Sequence, residues 1–81
     1  MTFEPTSQLL AFVLPMSFRK GDLTFSRVSN GEENIKIQVT PTAKPRHIVS
    51  TAQLARGIWR VCLQWSDGRL QYLDEKVISV G

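Results

Sequence analysis

Ile58 to Val80 reads IWRVCLQWSDGRLQYLDEKVISV, two β-rich runs on either side of Asp67-Gly68. An Asp-Gly pair suits the positive backbone angles of a type I′ turn, so the stretch predicts a long antiparallel hairpin. With Asp67 and Gly68 as the two loop residues, Ser66 faces Arg69. Trp65 then faces Leu70, Leu63 faces Tyr72, Arg60 faces Glu75 and Ile58 faces Val77. That count puts Trp59, Val61, Leu63, Trp65, Leu70 and Tyr72 on one face, the expected core face. Arg60, Gln64, Gln71 and Glu75 fall on the other, with an opposite-charge pair across the ladder. Asp74 and Lys76 fall on the apolar face, which leaves two readings. Either they lie beyond the edge of the core, or a bulge near them returns Val77 inward.

Upstream of the hairpin the period-two signal continues. Ile35, Ile37 and Val39 alternate with Asn34, Lys36, Gln38 and Thr40, the mark of a strand with one buried face. Leu23 and Phe25 alternate with Thr24 and Ser26 between a Lys20-Gly21-Asp22 turn and an Asn30-Gly31 turn, a second strand beside the first. Leu9 to Leu14 reads as a strand stopped by Pro15, which lacks a backbone donor. Ile48 and Val49, after the Pro41 to Pro45 corner, make a short strand. Only Ser50 to Arg56 carries helix formers without Gly or Pro, enough for a single helical turn. Six to seven short strands predict an all-β, small Ig-like antiparallel β-sandwich, with a partly open barrel as the alternative.

The 81 residues, 42% of them hydrophobic and 21% charged, suit one domain over residues 1–81 and exclude a large multidomain enzyme. A net charge of +3 favours acidic partners without naming one. The single cysteine, Cys62, cannot form an internal disulfide. The longest near-continuous apolar run, Leu9 to Leu14, is far below the roughly 20 residues of a membrane-spanning helix. With no apolar run of that length the chain as given is expected to be soluble, and no secretory signal peptide is visible after Met1.

The residues assemble no reactive constellation. His47, the only histidine, follows Arg46 and reads as a surface-loop residue; Cys62 sits mid-strand and reads as a packed or half-buried thiol. The adjacent acids Glu32-Glu33 and Asp74-Glu75 point to opposite faces of a strand and make no acid and base pair. No C-x-x-C, H-x-H or M-x-x-M spacing and no Gly-rich phosphate loop occurs, so neither metal nor cofactor is expected, and no enzyme activity. Arg19, Lys20, Lys44, Arg46, Arg56, Arg60 and Arg69 accompany Trp59, Trp65 and Tyr72, a combination found in some single-strand binders. The aromatic residues share the phase of Val61 and Leu63, however, so they read as core rather than as a stacking platform. Nucleic-acid binding is therefore not expected.

From Leu54 to Tyr72 the chain carries Leu54-Ala55-Arg56-Gly57-Ile58-Trp59-Arg60-Val61, then Leu63, Trp65, Asp67-Gly68 and Tyr72. This resembles the C-terminal part of FixH-like (CcoH-like) proteins. Gly21-Asp22-Leu23-Thr24-Phe25-Ser26-Arg27-Val28-Ser29 is similar to that family's first strand pair. The two segments lie between Gly21 and Tyr72, a span of about two thirds of the chain. The resemblance implies an extracytoplasmic β-sandwich, tied to the bacterial inner membrane by an anchor outside this sequence. It also implies a non-catalytic role in assembling or stabilising cbb3-type cytochrome oxidases. Partners would be oxidase or copper-transport membrane subunits, met through the hairpin and a surface around Arg46, His47 and Arg56. Gly57, Trp59, Trp65, Gly68 and Tyr72 matter first for folding, Gly57 through a positive backbone angle. The alternative is a generic Ig-like interaction module of the bacterial envelope.

Overall fold

The computed structural model describes residues 1–28 and 34–81; the Asn30-Gly31 turn and Glu32-Glu33 lie outside the described residues. Seven strands form: β1 (Thr2–Glu4), β2 (Leu9–Val13), β3 (Lys20–Arg27), β4 (Asn34–Val39), β5 (Arg46–Ser50), β6 (Gly57–Ser66) and β7 (Gln71–Val80). They make two antiparallel sheets, one ordered β1-β2-β5 and the other β4-β3-β6-β7. The protein is therefore an all-β sandwich, not a barrel. In a constant-type immunoglobulin domain the fourth strand pairs with the fifth; here β4 pairs with β3 in the other sheet.

Alternation places the core. Leu10, Phe12 and Leu14 from the β2 side meet Leu23 and Phe25 of β3, Val39 of β4, Trp59, Val61 and Leu63 of β6 and Ile78 of β7. Phe18 and Leu54 close the two ends. Trp59 is 1% exposed, and its indole N–H donates to the Ala55 carbonyl at 2.9 Å, so the ring's polar atom is satisfied as the ring is buried. Gly57 enters β6 with φ +141° and the Arg27 side chain 3.3 Å from where a Cβ would stand, which fulfils the expectation for that glycine.

The hairpin forms, but its register is shifted by two. Ser66 faces Gln71, Trp65 faces Tyr72, Leu63 faces Asp74, Cys62 faces Glu75 and Arg60 faces Val77. Asp67 is not a central turn residue. Its carboxylate accepts the N–H groups of Arg69 (2.8 Å) and Leu70 (2.9 Å), and its own N–H donates to the Leu70 carbonyl (3.3 Å). Gly68 and Arg69 are thus central, and a positive φ at Gly68 alone (+95°) fits a type II′ turn rather than type I′. A shift of two preserves the faces, because side chains alternate with period two. The Arg60–Glu75 pair disappears, and Leu70 leaves the core for an exposed loop position. Register runs unbroken through Asp74 and Lys76, both exposed, so they lie beyond the core's edge and no bulge turns Val77 inward.

Two local expectations are corrected as well. Lys20-Gly21-Asp22 is the start of β3 rather than a turn. The turn comes earlier, where the Phe18 N–H donates to the Pro15 carbonyl at 3.1 Å. Ser50 to Arg56 contains a hydrogen-bonded turn, Leu54 N–H to the Thr51 carbonyl at 3.1 Å, and no helix. Among the described residues no helix is long and apolar enough to cross a membrane.

Candidate functional site: the basic end of the long hairpin

One end of the four-stranded sheet gathers groups suited to recognition. Trp65 and Tyr72 face each other across β6 and β7, with ring centroids 4.0 Å apart and planes 15° from parallel. The side chain next to Trp65 on β3 is missing, because Gly21 stands there; a Cβ would lie 3.6 Å from that of Trp65 and 3.4 Å from that of Val39. Trp65 packs partly against the core, whereas Tyr72 is 37% exposed. Tyr72 is therefore a surface aromatic supported by a half-buried one, not the core residue its phase had indicated.

The loop beyond them is locked by its own polar groups. Besides the two Asp67 contacts, the Ser66 hydroxyl accepts the Gly68 N–H at 3.0 Å, and the Tyr72 hydroxyl donates to the second Asp67 oxygen at 3.4 Å. The Leu70 and Arg69 amide donors hold the Asp67 carboxyl below the usual carboxylate range. Desolvation, followed by the nearby Asp67 charge, pushes the Tyr72 phenol up, so it stays a neutral donor at physiological pH.

Against this rigid tip lies a cleft of about 430 Å³, lined by Arg19, Lys20, Asp22, Gln64, Trp65 and Gln71 among others. Arg19 reaches it because the Pro15 turn crosses from one sheet to the other there. Its N–H donates to the Ser66 carbonyl at 2.7 Å, and its side chain lies over Gly68. Arg69 is exposed in the same loop, so this end of the sheet carries three cations, with Lys20 on the face opposite Trp65.

The surface expected around Arg46, His47 and Arg56 is distributed differently. Arg46 is exposed opposite Val13, next to the Pro15 turn and hence toward the hairpin end. Arg56 precedes Gly57, whose partner is Val80, at the opposite end of the sheet. His47 is not a loop residue. It points into the sandwich from β5, stacked on Phe12 (5.4 Å, 8°) and edge-on to Phe18 (5.5 Å, 80°), its Nε2 buried without a hydrogen-bond partner. Adjacent strand residues face opposite ways, so Arg46 and His47 cannot share one contact face. Arg60 is exposed mid-sheet, remote from Arg69.

Cys62 is half-buried between Thr24 and Glu75; desolvation and then the Glu75 charge push its thiol up, which disfavours the reactive thiolate. Among the described residues no three His, Cys, Asp or Glu side chains are grouped to hold a metal ion. The contribution of Arg19 was hidden in the sequence. Only the proline-ended strand before it marks the crossover that carries it to the tip. Comparison with protein-family models, curated proteins and solved structures finds no match to this chain in any of the three.

Proposed function

We propose that this chain is a non-catalytic contact domain whose basic hairpin tip binds an acidic segment of a partner protein. The observation that supports this reading is the exposed Tyr72, stacked on Trp65 at a hairpin end that also carries Arg69 and a cleft lined by Arg19, Lys20 and Trp65. An aromatic anchor beside arginines is the side-chain chemistry in which binding energy concentrates at protein interfaces. The cations would steer an acidic partner toward it. A tip held by Asp67 and Ser66 loses little freedom on binding.

The resemblance of Leu54 to Tyr72 to FixH-like proteins gives the partner a specific form: a membrane subunit of a cbb3-type oxidase, or of its copper supply, met on the extracytoplasmic side of the bacterial inner membrane. Deleting the gene in its own cells and measuring assembled oxidase and its activity in membranes tests this. Loss of assembled oxidase, restored by the native gene, is expected. Unchanged assembly would leave the generic envelope interaction module as the better reading.

A further inference from the structure

A second feature of the four-stranded sheet lies outside the hairpin tip and is independent of the reading above: its β7 edge. The other edges are blunted as natural sheets blunt them. β1 has three residues and runs into Pro5, β5 follows Pro45, and β4 ends just before Pro41. β7 is ten residues long, has no proline, keeps continuous register with β6, and is paired on one side only among the described residues.

The hydrogen-bond phase fixes which groups β7 offers. The Asp67 N–H to Leu70 carbonyl bond places that pair in the bonded class, so by alternation Trp65–Tyr72, Leu63–Asp74 and Val61–Lys76 are bonded pairs too. The carbonyls of Ser66 and Ile58, turned toward the β3 side to accept from Arg19 and Val28, agree with this phase. The odd-numbered residues of β7, from Gln71 to Ser79, therefore turn their N–H and C=O outward. On the solvent face of the sheet, Leu73 is 60% exposed and Val77 59% exposed, flanking Glu75.

We propose that β7 pairs with β7 of a second copy of this chain, antiparallel about a two-fold axis at Glu75, so that the two four-stranded sheets join edge to edge. With that axis Leu73 meets Val77 of the second copy, and Asp74 meets Lys76 of the second copy. Symmetry repeats both pairs. An axis one residue earlier sets Asp74 against Asp74 and Leu73 against Glu75. One residue later it sets Lys76 against Lys76 and Leu73 against Ser79. The charge order Asp74-Glu75-Lys76 is self-complementary only about its centre, where the one adverse contact is Glu75 against its own copy.

Sedimentation of the full chain over a wide concentration range tests the proposal. A dimer that dissociates on dilution is expected, with amide exchange at Leu73, Glu75 and Val77 slowing as the dimer fills. Asp74→Lys or Lys76→Asp alone should weaken it about tenfold. The double exchange should restore it, and Glu75→Gln should tighten it. A chain monomeric at the highest concentration overturns the proposal, as does a dimer indifferent to these changes. A dimer that the double exchange fails to restore overturns it too, since the register is then wrong.

Discussion

Trp59 and Asp67 stabilise the fold by different physics. Trp59 is buried among core side chains, and its N–H satisfies the Ala55 carbonyl. Trp59→Ala removes both and is expected to cost about 3–5 kcal/mol, a large share of the stability of so small a domain. Trp59→Phe keeps a ring and loses the hydrogen bond, so its cost should be about 1–3 kcal/mol; urea unfolding of the three chains checks both. Asp67 acts at the surface through charge. Its folded pKa is depressed, so its contribution is present above the unfolded carboxylate value and is lost as pH falls through the folded one. Asp67→Asn should therefore lower the urea midpoint at neutral pH. The gap to the native chain should close as the medium is acidified through and below the ordinary carboxylate range.

The strands follow from side-chain alternation, and most of the elements were legible for that reason. Ile35, Ile37 and Val39 in β4 and Trp59, Val61 and Leu63 in β6 announce both strand and buried face. What alternation cannot set is register. Asp67-Gly68 permitted two turn placements, and the Asp67 side chain decides between them by capping Arg69 and Leu70, a contact visible only in three dimensions. The two placements keep every residue on its face but change every partner. Cys62 facing Glu75, in a non-bonded pair whose Cα atoms approach to about 4.5 Å, is suited to a cross-strand disulfide. In dilute solution Glu75→Cys should therefore oxidise intramolecularly with Cys62, more readily as alkaline pH overcomes the raised thiol pKa. Leu73→Cys and Val77→Cys, one diagonal step away, should not. Ready oxidation of either diagonal variant in place of Glu75→Cys would contradict the register.

At the scale of the whole molecule, the sandwich was foreseen from the number of strands and turns, while the site was only half foreseen. The sequence points to the hairpin and to Arg46, His47 and Arg56 as an expected contact surface, the three residues being grouped only by their nearness in sequence. Folding sends Arg56 to the far end and turns a half-buried His47 inward against Phe12 and Phe18, because β5 turns alternate residues to opposite faces. Conversely, Arg19 comes to Gly68 only because the chain crosses between the sheets at Pro15, a long-range meeting with no local pattern. The account stands on this tip being where a partner protein is met. A photoreactive residue placed at Arg69, and separately at Gln53 in the turn at the opposite end, tests that most directly in the cells that carry the gene. The account predicts a specific adduct with an oxidase or copper-supply subunit from position 69, lost when Arg19 and Lys20 are changed to Glu, and none from position 53. Adducts from both positions alike, or none from position 69, would contradict it.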